Sequence, residues 1–200
     1  MGIIQKEVLK RSMKRDQIIE MQKRIGVTPD GFWGPRSIAA CQAHLRQLAP
    51  KVNPWPSSSQ AALQAFYGSP GDESQLVNLN CIEYGVRYDS QPVRSIRCHH
   101  KVANSLERIL AGLADIPAGR DVLTRYAGCY NNRPMRGGSL PSLHARGAAI
   151  DLDPDTNRNR QAWPASATMP LEVMEIFAAE GWVCAGSAWG RDAMHFQATA

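Results

Sequence analysis

The spacing of apolar residues predicts five helices along the chain. Ile18, Met21 and Ile25 recur at helical spacing, so one face of the first helix is apolar. Because proline is favoured in the first turn of a helix, Pro35 marks the start of the second, which ends near Pro50. The remaining predicted helices cover Ala61–Phe66, Val102–Leu113 and Leu171–Glu180, and Gly181 ends the last of them.

Shorter apolar runs predict strands in the second half of the chain. The predicted strands are Val122–Tyr126, Ala148–Leu152 and the run from Met194 to Gln197. In the middle strand apolar and polar faces alternate, so Ile150 enters the core while Asp151 lies on the other face. Helices and strands in this order indicate an α+β fold.

Turn and linker residues divide the chain into three predicted parts. The run Gly26–Gly31 is rich in turn-forming residues, and Asn53–Ser59 combines two prolines with a serine run that resists regular structure. We therefore predict a small helical domain over residues 1–52, a linker with a short helix over 53–77 and a larger α+β domain over 78–200.

Composition narrows the class of protein only modestly. Of the 200 residues, 44% are hydrophobic, which is enough for a packed core, and the formal net charge is +5. This surplus suits an anionic partner or serves solubility. The basic residues are dispersed without a motif for reading bases, so we expect no binding to nucleic acid.

The cysteines and the N-terminal residues indicate the cellular compartment in which the protein is made. The five cysteines are scattered and form no C-x-x-C pair, which argues against a disulfide framework and against a cysteine-built zinc site. Residues Met1–Asp16 lack the apolar core of a secretory signal, and no run approaches eighteen apolar residues. We expect a protein made in the cytoplasm that does not insert into a membrane.

A candidate metal site lies in the segment from Ser142 to Asp151. Gly147 permits a sharp turn that can bring His144 back over the strand face carrying Asp151, and an imidazole and a carboxylate are good ligands for Zn²⁺. A catalytic zinc site needs a third protein ligand, which His195 supplies from a separate element. His and carboxylate ligands also accept manganese or cobalt.

Asp192, three residues before His195, is the candidate general base. A carboxylate next to a catalytic metal can take a proton from water, whose pKa the metal lowers to about 7. By contrast, His99 and His100 have no matching partner in the sequence, and we interpret them as structural.

These motifs resemble the M15 family of zinc peptidases. The pattern Ser-x-His-x-x-Gly-x-Ala-x-Asp, followed some forty residues later by Asp-x-Met-His-Phe, is similar to that family over roughly residues 78–198. The resemblance implies one zinc per chain held by His144, Asp151 and His195, with Asp192 as general base. It also implies a small antiparallel sheet with flanking helices, as in M15 and Hedgehog-like zinc peptidases.

Four further residues are candidates for substrate contact. Arg133 occupies the arginine position of the family's Tyr-x-x-Arg pattern, and the resemblance implies that it binds substrate or the oxyanion, with Arg136 as the second choice. Ser142 either contacts substrate or caps the turn. Trp189 either packs in the core or lines the cleft.

The N-terminal segment has a resemblance of its own. Gln22–Ala40, with Asp-Gly-x-x-Gly at its centre, is similar to the small three-helix peptidoglycan-binding domain of many wall hydrolases, with Ser37 where threonine is usual. The resemblance implies Asp30, Phe32 and Trp33 as wall-binding residues. On physical grounds Asp30 forms the turn, and Phe32 and Trp33 pack the helices or stack on sugar.

Together, these resemblances imply a phage endolysin that hydrolyses peptidoglycan. An L-alanyl-D-glutamate endopeptidase is favoured by the aspartate base and the two-domain layout, a D-Ala-D-Ala carboxypeptidase is the alternative, and a catalytically inactive wall-binding protein is the rival from another class. Without a secretory signal, such an enzyme would reach the wall after holin-type release. We expect a monomer.

Overall fold

The computed structural model describes residues 12–200, and in that part of the chain seven α-helices surround three small antiparallel sheets. The predicted α+β class is confirmed. The helices are α1 (Arg15–Arg24), α2 (Pro35–Leu48), α3 (Gln60–Tyr67), α4 (Ala103–Asp115), α5 (Pro117–Leu123), α6 (Leu171–Ala179) and α7 (Ala185–Trp189). The strands are β1 (Leu76–Asn80), β2 (Arg87–Tyr88), β3 (Gln91–Pro92), β4 (Ser95–His99), β5 (Tyr126–Gly128), β6 (Ala149–Leu152), β7 (Val183–Cys184) and β8 (His195–Gln197).

A four-stranded sheet lies at the centre of the larger region. Its strand order is β5-β6-β8-β7, and all neighbouring pairs are antiparallel. Phe196 of β8 stacks on Phe177 of α6 with ring centroids 3.8 Å apart, so the apolar face of this helix covers the sheet. Two smaller sheets, β1-β4 and β2-β3, lie beside it. Among residues 12–200, no helix has both the length and the apolar character needed to cross a membrane.

A glutamine on α1 organises the turn between α1 and α2. The Gln22 amide nitrogen donates to Asp30 Oδ1 at 2.8 Å, and the Gln22 amide oxygen accepts from the Gly31 N–H at 2.8 Å. Asp30 Oδ1 also accepts from the Phe32 N–H at 2.8 Å. Gly31 has φ +74°, a conformation that L side chains rarely adopt. The sequence-predicted turn and both helices that it joins are present.

The N-terminal helices pack directly on the larger region. Arg24 of α1 donates from Nε and Nη2 to the carboxylate of Glu175 on α6, and His44 of α2 lies 2.7 Å from the same carboxylate. Trp33 meets Trp163 edge to face at 5.3 Å. Buried residues of both regions form one continuous hydrophobic core. The helical unit predicted over residues 1–52 is therefore held against the α+β region; its first eleven residues lie outside the described part.

The segment predicted as a linker is also packed. The indole N–H of Trp55, whose side chain is buried, donates to the Glu180 carbonyl at 2.8 Å, and the Asn53 amide donates to the Gly181 carbonyl at 3.0 Å. The short helix predicted here is α3, and it is the third helix in the described chain. Tyr67 at its end is buried and donates to the Ala198 carbonyl at 2.7 Å.

Some elements differ from the sequence-based expectation. The strand predicted over Val122–Tyr126 is wrong in its first half, because Val122 and Leu123 end helix α5, which begins at Pro117. Both side chains are buried, and a short apolar run does not by itself distinguish a strand from a buried helix end. Strands β1 and β4 were not predicted, since β1 is largely exposed and lacks a clear two-residue alternation.

His99 is a core histidine held in its neutral form. Its Nδ1 accepts from the Lys101 N–H at 3.1 Å, and its Nε2 lies 3.0 Å from the Tyr67 carbonyl, to which it donates. Protonation of His99 would add a proton at Nδ1, where it would face the Lys101 N–H that now donates to this nitrogen. Burial of the imidazole lowers the pKa of His99 from 6.5 to about 4.

We expect His99 to make folding stability depend on mildly acidic pH. Because its folded pKa is depressed, its contribution is complete above pH 6.5 and is lost as the pH falls towards about 4. The full loss corresponds to on the order of 3 kcal/mol. Urea unfolding at pH 7 and pH 4.5 should show a smaller acid-induced decrease in His99→Gln than in the unaltered protein. The exposed neighbour provides the control, His100→Gln; an equal effect of both variants contradicts the assignment.

Candidate metal centre

A tight 3₁₀ turn places His144. The turn covers Leu143–Arg146, and Ser142 precedes it, with its hydroxyl accepting from the His144 N–H at 3.3 Å. Gly147 ends the turn in the left-handed region, with φ +66°. A Cβ at this position would lie 2.8 Å from the backbone nitrogen of His99, so only glycine fits. The chain thereby reverses into β6, as the sequence predicted.

Strands β6 and β8 place the other two side chains opposite each other. Asp151 on β6 is the direct partner of His195 on β8 in the antiparallel register. Directly opposed residues project their side chains from the same face of a sheet. The β6 strand is buried along its whole length, so Asp151 lies in a more enclosed position than the half-buried strand expected from sequence.

The three predicted ligands converge on one point. His195 Nδ1 lies 3.0 Å from Asp151 Oδ1, His144 Nε2 lies 3.2 Å from the same oxygen, and the two ring nitrogens are 3.1 Å apart. Tetrahedral Zn²⁺ with bonds of about 2.0 Å separates its ligand atoms by about 3.3 Å. The three atoms therefore match three corners of a zinc tetrahedron. This is the one cluster of potential metal ligands found among residues 12–200.

Hydrogen bonds behind the histidines fix which nitrogen faces the centre. His144 Nδ1 lies 2.7 Å from the carbonyl of Cys129, so Nδ1 carries the proton and Nε2 presents its lone pair. His195 is reversed, because its Nε2 lies 3.1 Å from Gln197 Oε1 and Nδ1 faces Asp151. Partners of this kind orient metal-ligating histidines in proteins.

The cluster keeps Asp151 in the charged form that a metal requires. Burial by itself would raise the pKa of this carboxyl, but the adjacent imidazoles of His144 and His195 outweigh it and lower the pKa below the ordinary value. For His195, burial would lower the pKa, but the adjacent Asp151 carboxylate raises it overall. An anionic carboxylate facing two imidazoles is a donor set that suits Zn²⁺.

Asp192 has an unusual environment beside the cluster. Its Oδ1 is buried and is the one buried side-chain oxygen or nitrogen without a hydrogen-bond partner in the described residues. Its backbone has φ +59°, which is strained for a non-glycine residue. Burial raises the pKa of Asp192. A partly buried carboxylate with a free oxygen has the properties of a general base.

A cleft of about 200 Å³ opens over the cluster and Asp192. Three arginines, Arg133, Arg136 and Arg191, line it. Trp189 lines it as well; its side chain is half exposed, and its ring stacks on that of His195 with centroids 5.8 Å apart. Ser142 reaches the cleft, but its hydroxyl caps the turn before His144.

The predicted wall-binding residues lie outside this cleft. Phe32 is 72% exposed and lines a separate cavity with Asp30, whereas Trp33 is partly buried and packs on Trp163. Of the two aromatic residues, Trp33 is thus the one that packs, and Phe32 remains accessible.

Sequence reasoning missed several residues of the site. Gln197 lies two residues after His195 on one strand, so strand alternation could have placed it beside that ligand. Arg191 and Asn159 also line the cleft, but the spacing of neighbouring residues in the sequence does not mark them as site residues. The Cys129 carbonyl could not have been found, since any residue type supplies the same backbone atom.

Removing the hydrogen-bond partner of His195 should weaken metal binding. In Gln197→Leu the His195 N–H loses its acceptor, and we expect zinc affinity to fall about 10–100-fold. Competition with a chromophoric chelator measures this change. Gln64→Leu removes an exposed glutamine on α3 and should leave zinc affinity unaltered. Equal affinity in both variants would show that Gln197 does not support His195.

Comparison with known proteins places the cluster in a family context. Residues 136–198 match the family model Peptidase_M15_4, described as D-alanyl-D-alanine carboxypeptidase. The matched segment is less than half of the chain, but it contains His144, Asp151, His195 and Asp192. The match supports an M15 peptidase family and peptidase-like hydrolysis. Comparisons with curated proteins and with solved structures gave no match.

Proposed function

We propose that this M15-like chain is a zinc-dependent endolysin that hydrolyses the L-Ala–D-Glu bond of peptidoglycan stem peptides. The observation that carries the proposal is the triangle of His144, Asp151 and His195 beside the unpartnered carboxylate of Asp192. A purely structural metal site has no use for a free base next to it. This argues against the alternative of an inactive wall-binding protein.

Different residues of the site would carry out different parts of peptide hydrolysis. His144, Asp151 and His195 would hold one Zn²⁺, which when bound supplies Lewis acidity that polarises a carbonyl and makes water more acidic. Asp192 accepts a proton from the attacking water at its free oxygen and returns it to the leaving amine. No covalent bond between enzyme and substrate is required.

The arginines around the cleft support an anionic peptide substrate. Peptidoglycan stem peptides carry free carboxylates next to the proposed scissile bond, and guanidinium groups bind carboxylates bidentately. Arg133 and Arg136 both line the cleft, and Arg136 is close enough to Asp192 to offset part of the rise in the pKa of that carboxyl that burial causes. We assign Arg133 to the substrate carboxylate or the oxyanion, with Arg136 as the second choice.

A D-Ala-D-Ala carboxypeptidase is the second candidate. The description of the matching family model favours it directly, and a cationic cleft could equally hold a terminal carboxylate. The endopeptidase is preferred because Asp192 supplies an aspartate base, as in the endolysins that the motifs resemble. Monomeric action and delivery to the wall through a holin-type pore complete the proposal.

Digestion of purified peptidoglycan with mass spectrometry of the fragments tests this proposal. We expect new N-terminal D-glutamate or its amide, and this product should be absent from a chelated sample. Free D-alanine as the sole product would establish the carboxypeptidase instead. Retained wall binding without any soluble product would mean that the protein is a catalytically inactive wall-binding protein.

A further inference from the structure

A second cavity adjoins the catalytic cleft on the side of the N-terminal helices. It has a volume of about 270 Å³ and lies between α2 and α7. We call it the tryptophan groove; its main lining residues are Trp33, Ile38, Gln42, Trp163, Ala188 and Trp189. Ile38 is 42% exposed and Trp189 is 49% exposed, so two of its apolar walls are open to solvent.

The tryptophan groove is adjacent to the cleft. Trp189 lines both, and its ring stacks on that of the metal-site residue His195. The loop after Trp189 is fixed to the floor of the groove, because the backbone N–H of Trp163 donates to the Gly190 carbonyl at 3.0 Å. A substrate bound over His195 that extends past Trp189 would therefore reach the groove.

The two cavities differ in chemistry. The cleft is lined by three arginines and the carboxylates of Asp151 and Asp192. Among residues 12–200, no charged side chain lines the tryptophan groove, and the amide nitrogen of Gln42 already donates to the Ser187 carbonyl at 3.0 Å. The groove thus suits a neutral group with apolar faces, which indole rings contact favourably.

We infer that the tryptophan groove binds the N-acetylated sugar to which the stem peptide is attached; this inference rests on the proposed function. The peptide's N-terminal alanine is joined to that sugar through an amide, so the sugar carries no charge there. The L-Ala–D-Glu bond is one residue from this sugar. The ring of Trp189, which lines the groove, stacks on the ring of His195 in the metal cluster. The volume is near the lower end of ligand pockets, about 300–1,000 Å³, and suits one ring better than an extended chain.

This assignment gives the N-terminal helices a role in the active site. Trp33 precedes α2, and Ile38 and Gln42 lie on it, so the helical unit forms one wall of the groove. The close packing through Arg24, His44 and Glu175 holds that wall in place. The N-terminal region would then select the sugar-linked peptide in addition to any binding by the exposed Phe32.

The test compares two defined substrates that share one scissile bond. One is the free peptide L-Ala–D-Glu–diaminopimelate, and the other carries the N-acetylated disaccharide on its alanine. We expect kcat/KM to be at least about tenfold higher for the sugar-linked substrate, mainly through KM. Ala188→Trp, which fills the groove, should bring the ratio of the two values close to one, and Ile38→Gln should lower it in part.

Ala39→Trp is the matched control, because Ala39 is exposed on α2 and does not line the groove. It should preserve the ratio. Circular dichroism of each variant checks folding. Equal kcat/KM for both substrates in the unaltered protein, or an equal effect of the two tryptophan variants, overturns the sugar site while the peptidase remains. Hydrolysis of neither substrate, or release of D-alanine alone from whole peptidoglycan, means that the proposed function itself has failed.

Discussion

His144→Ala should reduce bound zinc from one per chain to nearly none and lower peptidoglycan hydrolysis by at least about 10³-fold. The variant removes one of the three atoms that converge within 4.8 Å of one another, so two ligands remain where a catalytic site needs three. Elemental analysis of the purified protein and release of soluble fragments measure the two effects.

The Tm of the same variant should show how much bound metal contributes to the stability of the fold. Zinc that binds only the folded state stabilises it in proportion to the logarithm of its concentration, so a chelator should lower the Tm of the unaltered protein. His144→Ala should show little change in Tm on chelation. His100→Ala is the matched control, since His100 is exposed and contacts the Gln75 carbonyl. Full zinc content in His144→Ala would contradict the proposed ligand set.

Asp192→Asn should lower kcat by about 10²–10⁴-fold and leave zinc content unaltered. The substitution keeps the shape of the side chain and removes its ability to accept a proton. Loss of activity without loss of zinc would distinguish a base from a metal ligand. Single-turnover hydrolysis of a defined stem peptide, measured beside elemental analysis, gives both quantities.

Stability offers an independent check on Asp192. A buried carboxylate oxygen without a hydrogen-bond partner costs folding free energy, so removing its charge should leave the Tm unaltered or higher. Asp155→Asn is the control, because the Asp155 side chain is 75% exposed and far less constrained. A large decrease in Tm for Asp192→Asn would show a structural role and would weaken the assignment as base.

The helical unit illustrates a limit of motif reading. Its motif correctly places the turn at Asp30 and Gly31 and the start of α2 at Pro35, because both depend on local backbone preferences. Whether such a unit stands apart or packs on its neighbour depends on contacts between distant residues. The contacts of Glu175 with Arg24 and His44 join residues more than 130 positions apart, and no local pattern encodes them.

By itself, the sequence determined the α+β class, most of the helices and the residue types of the metal cluster. The helices follow from the periodicity of apolar residues, the turn before β6 from its requirement for glycine at position 147, and the ligand types from the spacing of the two motifs. Only the tertiary structure decided that Asp151 and His195 face each other across two strands, that Gln197 and the Cys129 carbonyl orient the imidazoles, and that Asp192 keeps a free buried oxygen. Strand pairing and burial arise from packing among segments far apart in the chain, and this packing sets the distances on which the chemistry depends.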